Sequence, residues 1–266
     1  MRLSLNQWTT RHWPLPDLAA GCASAGVGGV GLWREPVAEY GLERTAKLVR
    51  EHGLTVTSLC RGGFFQAPDA LEDNRRAIEE AAALGAPVLV LVSGGLPDGS
   101  RDLDGARARV ADTLAELAPY AGEHGVRLAI EPLHPMFCSD RCVVSTLAQA
   151  LDLAAPLPSE QVGVVIDTYH LWWDPAAWDG IARAGAEGRL HLFQVADWVT
   201  PLPAGVLTGR GMLGDGCVDL RRYRTAVEAT GYTGPIEVEI FNDALWALPG
   251  DEALALTLTR FTEHVT

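Results

Sequence analysis

Eight short apolar or β-branched runs, at residues 3–7, 28–32, 55–60, 88–92, 127–131, 162–167, 190–195 and 236–240, punctuate this 266-residue chain. Between them the apolar residues switch to helical spacing, as at 17–25, 42–52, 69–84, 103–124, 146–154, 219–230 and 252–264. Eight strand-then-helix units in this length match a single (β/α)8 TIM barrel, an α/β fold, and no linker-like segment divides them, so one domain over residues 1–266 is expected. Punctuation agrees with the helices: Gly53 and Gly231 follow helical runs, and Ser145 and Asp219 stand where N-caps are needed.

An open doubly wound sheet is the rival, and Gly-Val-Gly-Gly-Val-Gly at 26–31 fits the dinucleotide pattern G-x-G-x-x-G. Such a loop must follow a strand and open a helix, so that phosphate meets the helix N-terminus. Here it follows a helical stretch and leads into a strand, so the glycines read as a turn.

Charge narrows the partners. With 21 Lys and Arg against 34 Asp and Glu the net charge is −13, which opposes nucleic acid and anionic membrane surfaces and favours a small polyhydroxylated substrate. No apolar run reaches signal-peptide or membrane-helix length, so a soluble, cytoplasmic protein is expected. Five scattered cysteines, Cys22, Cys60, Cys138, Cys142 and Cys217, give no disulfide framework, and Cys138 with Cys142 lacks the second pair that a zinc site would need.

In a barrel of this kind chemistry sits at the C-terminal ends of the strands. Four polar residues close otherwise apolar runs there: Glu131, Asp167, Gln194 and Glu239, on strands five to eight. Taken singly, each could be a solvated strand end. Together in one barrel mouth the carboxylates would repel one another unless a cation joined them, and an all-oxygen donor set favours one divalent ion, Mn²⁺ or Mg²⁺ before Co²⁺ or Zn²⁺. Glu237 shares the face of Glu239 but lies one pleat deeper, and His191 has the opposite parity to Gln194.

The motifs Glu-Pro-Leu-His-Pro at 131–135, Asp-Thr-Tyr-His at 167–170, Phe-Gln-Val-Ala-Asp at 193–197, Arg-Gly-Met-Leu-Gly-Asp-Gly at 210–216 and Gly-Tyr-Thr-Gly-Pro-Ile-Glu-Val-Glu-Ile at 231–240 span most of the chain. They resemble the sugar phosphate isomerase/epimerase superfamily, the xylose-isomerase-like barrels. The resemblance implies metal ligation by Glu131, Asp167 and Glu239, and implies that Glu131 and Glu239 act as bases on opposite faces of a substrate. Gln194 stands where many members have His; this variant, with the Glu-Ile-Phe-Asn-Asp run at 239–243, resembles the dehydroshikimate dehydratases.

The expectation is therefore a metal-dependent isomerase or epimerase of a keto-sugar, cyclitol or related polyol. The alternative is a lyase that starts from the same carbanion and expels a neighbouring group, and a non-catalytic binding subunit comes third. His170, three residues beyond Asp167, is placed to bond substrate or move a proton. His134, Arg210 and Arg61 are candidate substrate contacts. All eight tryptophans map to segments just after strands, and Trp172 and Trp198 are expected to wall the pocket, unless such rings hold the loops together or join copies in a homo-oligomer.

Overall fold

A computed structural model describes residues 2–266. Eight parallel strands close into a barrel: β1 Leu3–Asn6, β2 Gly29–Trp33, β3 Thr55–Gly63, β4 Val88–Val92, β5 Arg127–Ile130, β6 Val162–Asp167, β7 Leu190–Val195 and β8 Ile236–Val238. Neighbours in sequence are neighbours in the sheet, and β8 pairs with β1 to complete the (β/α)8 barrel. The connections carry α1 Leu15–Ser24, α2 Arg34–Tyr40, α3 Leu42–Glu51, α4 Ala70–Leu84, α5 Leu103–Glu123 and α6 Leu147–Ala154. They continue with α7 Thr168–Leu171, α8 Ala177–Ala186, α9 Leu220–Ala229, α10 Asp243–Trp246 and α11 Gly250–His264.

Strand alternation divides the apolar residues into two layers. A small cluster that includes Val90, Ala129, Val165 and Leu192 fills the barrel, while the larger core, with Leu89, Leu128, Val164 and Phe193, joins the strands to the helices. Polar groups occupy the rest of the interior. Glu237 is fully buried, its Oε1 accepting from Asn6 Nδ2 at 2.8 Å and its Oε2 from Thr57 Oγ1 at 2.8 Å and Ser58 Oγ at 2.9 Å. This carboxylate explains Gly31: a Cβ there would lie 2.5 Å from Glu237 Oε1. The glycine run is thus only partly a turn. Gly26 makes the turn after α1 at φ 72°, while Gly29 and Gly31 belong to β2.

Three local expectations need correcting. Thr146, not Ser145, caps α6, its Oγ1 accepting from the Gln149 amide at 3.2 Å while Ser145 donates to the Gln149 side chain. Asp219 does cap α9. Strands β5 and β8 end at Ile130 and Val238, so Glu131 and Glu239 sit one residue beyond them, where backbone can begin to turn.

His191 faces away from the barrel interior. Its Nε2 lies 2.8 Å from the Ser159 carbonyl, which can only accept, so the proton is on Nε2. Burial pushes its pKa from 6.5 to about 4. Between those values the folded chain holds fewer protons than the unfolded one, so lowering the pH through them costs about 3 kcal/mol of stability from this group alone. We expect His191→Gln, which keeps a donor, to lose less stability than wild type between pH 7 and pH 4 in urea unfolding; equal losses would contradict this. Among the described residues no helix is long and apolar enough to cross a membrane.

Candidate active site

Register sets the depth of the polar residues. Asp167 on β6 is level with Gln194 on β7, which is level with Glu237 on β8, so Glu239 stands one pleat nearer the mouth. Gln194 is fully buried, and because Glu237 only accepts, the amide turns Nε2 towards it at 3.0 Å. Its Oε1 then has no partner among the described residues. Glu131 reaches the mouth from β5; its N–H bonds the Leu91 carbonyl at 3.0 Å, and the Cys142 thiol lies 3.5 Å from its carbonyl.

Asp167 ends β6 and caps the short α7, Oδ1 accepting from the Tyr169 N–H at 2.8 Å. The turn that follows brings His170 over the carboxylates. His170 Nε2 lies 3.7 Å from Asp167 Oδ2 and 3.9 Å from Glu131 Oε1. Ligand atoms of Glu131, Asp167 and His170 all lie within 4.8 Å of one another. His170 Nδ1 faces the His134 N–H at 3.2 Å and Nε2 faces Arg210 Nη2 at 3.3 Å; a neutral imidazole has one acceptor nitrogen, so tautomer decides which contact is a hydrogen bond.

Arg210 ties the site together. It lies in an antiparallel ribbon, Asp197–Trp198 with Arg210–Gly211, and Asp197 fixes the loop beyond by accepting from the Gly214, Gly216 and Val218 amides. Its guanidinium packs between Tyr169 and Phe241, 5.0 and 4.5 Å from the ring centres. Nη1 donates to Asp167 Oδ2 at 3.0 Å, Glu239 Oε2 at 2.8 Å and the Glu239 carbonyl at 3.0 Å. Sequence reading made Arg210 a substrate contact; the structure gives it this internal task as well, and leaves its Nε without a partner among the described residues.

Burial dominates the electrostatics. Burial, reinforced by Glu239 and Asp167, pushes the Glu131 carboxyl well above its ordinary pKa. Burial carries Glu239 to about 7 despite Arg210, and Asp167 is raised for the same reason. Burial and the Arg210 charge hold His170 neutral, far below its usual value. Burial disfavours the Arg210 charge, but Glu239, Asp167 and Glu131 outweigh it and raise that pKa.

These groups open into a cleft at the barrel mouth. Glu131, Glu239, His170, Arg210 and Arg61 line it, while Asp167 and Gln194 do not. His134, Trp172 and Trp198 also lie outside the lining: Trp198 stacks on His134 at 4.8 Å and meets Trp172 at 5.1 Å, a cluster that braces the loops after β5, β6 and β7. The apolar wall comes instead from Trp33, Phe137, Tyr169, Leu207 and Phe241, with Trp8 edge-on to Trp33 at 5.1 Å. Sequence reading missed Arg141 in the lining, a residue of the loop after β5 that carries no motif.

A family model described as xylose isomerase-like TIM barrel matches residues 19–263. The 3-dehydroshikimate dehydratase of Pseudomonas aeruginosa is 30% identical over 88% of this chain and 37% of its own length. The inosose isomerase of Bacillus subtilis is 27% identical over 54% of this chain, which spans half of that relative. The crystal structure of protein SMc04130 from Sinorhizobium meliloti superposes with a TM-score of 0.95 at 46% identity, covering 98% of each chain.

Proposed function

We propose that this chain, which belongs to the xylose isomerase-like TIM barrel family, removes the proton next to a carbonyl of a polyhydroxylated keto-sugar or cyclitol, as a metal-dependent isomerase or epimerase. The observation that carries this reading is Glu131, a buried carboxylate lining the cleft beside His170, with Oε1 unpartnered among the described residues. A carboxylate stripped of solvent, its pKa raised by burial and by Glu239 and Asp167 beside it, is a stronger base than a solvated one and is suited to taking a proton from carbon.

The residues fit a divalent cation. Three buried carboxyls share one guanidinium, burial and mutual repulsion raise their pKa values as they would in a site that lacks a second cation, and Glu131 Oε1 and Gln194 Oε1 are buried acceptors that lack donors among the described residues. Glu131, Asp167, Gln194 and Glu239 would hold the ion, and an oxygen-only set suits Mn²⁺ or Mg²⁺. When bound, such an ion acts as a Lewis acid towards a substrate carbonyl. Glu131 takes the proton, Glu239 returns one to the adjacent carbon, His170 bonds a hydroxyl, and the apolar wall limits access of water.

One observation favours a lyase as the second reading. Glu239 is tied to Arg210 through both its carboxylate and its carbonyl, whereas the Glu131 carboxyl has no arginine partner among the described residues and its Oε1 accepts no hydrogen bond, and an elimination needs only one mobile base. In that sequence Glu131 removes the proton, the C–H electron pair forms the C=C bond, and the β-hydroxyl leaves as water after Glu131 hands it that same proton. The likeness to the dehydratase supports it. Product analysis of the metal-loaded protein with a ketose and keto-cyclitol panel separates the two: a rearranged ketone supports the isomerase, an ultraviolet-absorbing enone the lyase.

Gln194 tests the donor set. An amide oxygen favours late transition metals less than imidazole does, so Gln194→His should move the Zn²⁺ to Mn²⁺ affinity ratio towards zinc in competition titrations. An unchanged ratio means that Gln194 is not a ligand.

A further inference from the structure

Two arginines of the cleft have no part in the chemistry so far described. Arg61 follows Cys60 on β3 and lines both the cleft and the adjoining groove that holds Arg34, Asp73 and Glu80. Two acids of that groove are engaged by Arg34, which bonds Asp73 at 2.9 and 3.1 Å and Glu80 at 2.6 and 3.2 Å, and the third, Glu35, lies more than 4.0 Å from the Arg61 guanidinium. Arg61 has no carboxylate within 4.0 Å among the described residues; it lies on the Phe64 ring at 4.1 Å, with a buried Nε that lacks a partner. Arg141, in the loop after β5, lines the same cleft and likewise forms no ion pair among the described residues. Burial lowers the Arg61 pKa; Glu35 opposes that effect, and the charge of Arg141 adds to it.

Two neighbouring unpaired guanidiniums are unusual in a chain of net charge −13. Both are half-buried, whereas Glu131, Glu239 and Arg210 are buried, so the cations stand nearer solvent than the carboxylates of the same cleft. The cleft is therefore bipolar, with a floor suited to hydroxyl and carbonyl oxygens and a rim suited to an anion.

We propose that the substrate carries a carboxylate and that Arg61 and Arg141 at the rim anchor it, which deepens and rests on the assignment of this cleft as the substrate site. A carboxylate suits the rim better than a phosphate. The lining has side-chain guanidiniums and apolar walls, including Val92, Leu133 and Phe137, and no glycine of a phosphate-cradling backbone loop.

The test uses the full-length, metal-loaded protein with gluconate and shikimate as probes, each against its methyl ester, and glycerol phosphate as the phosphate control. Calorimetry should find at least one acid binding about tenfold or more tightly than its ester, since charge-assisted bonds to arginine are lost on esterification. Arg61→Ala and Arg141→Ala should each remove most of that preference, and Arg61→Lys should restore part of it, with melting temperatures verifying the fold. Equal binding of acid and ester, no binding of either acid, tighter binding of glycerol phosphate, or a preference that survives both alanine variants would overturn the proposal. Deuterium exchange into ketones is read separately: exchange into a neutral ketose without carboxylate preference overturns only this inference, while preference without exchange into any ketone overturns only the proposed activity.

Discussion

Glu131→Gln should reduce turnover by a factor on the order of 10³ or more, because it removes a general base and a carboxylate donor in one isosteric change. The same change should leave stability unaltered or raise it. Wild type keeps this carboxyl buried, beside Asp167 and Glu239, at a cost that a neutral amide does not carry. Steady-state kinetics and urea unfolding on the same preparation test both parts. Loss of activity with loss of fold, or activity restored by excess metal alone, would speak against a base at this position.

Arg210→Met should produce the largest loss of stability of any single change in the site, about 3 kcal/mol in metal-free protein, since it leaves Asp167 and Glu239 buried without their partner. Methionine retains packing between Tyr169 and Phe241, so the loss reports the charge and not a cavity. Lysine should substitute poorly: one ammonium cannot reproduce both the planar stacking and the bridge. With Mn²⁺ bound, the carboxylates have a second cation, and the penalty should shrink. Equal penalties in metal-free and Mn²⁺-loaded protein would show that the ion and Arg210 do not share these carboxylates.

The barrel was legible because its signal is local and repeated. Alternating periodicity placed all eight strands, and strand parity separated Asp167 and Gln194, which face inward, from His191, which faces out. Helix α8 was not expected from sequence because Gly180 and Gly185 lie within it, and glycine disfavours a helix interior. Side-chain direction beyond a strand end was the harder matter. Tryptophans could be assigned to the mouth, but not which rings would turn into the cleft, and Trp33 with Phe241 took the place expected for Trp172 and Trp198. The Arg210 bridges span 43 and 29 residues, a pairing that no local pattern encodes. Arg141 is similar: its significance comes from Arg61, 80 residues earlier, lining the same cleft.

The central claim is proton abstraction by Glu131 with a divalent ion in place. It is tested most directly by incubating the Mn²⁺-loaded protein in D₂O with a panel of ketoses, keto-cyclitols and polyhydroxylated keto acids, following the signal of the carbon next to the carbonyl by proton NMR. The account predicts that wild type washes deuterium into at least one of these ketones, and that both chelation and Glu131→Gln reduce the exchange to the uncatalysed rate. Exchange at the wild-type rate in Glu131→Gln, or in protein stripped of metal, would contradict it.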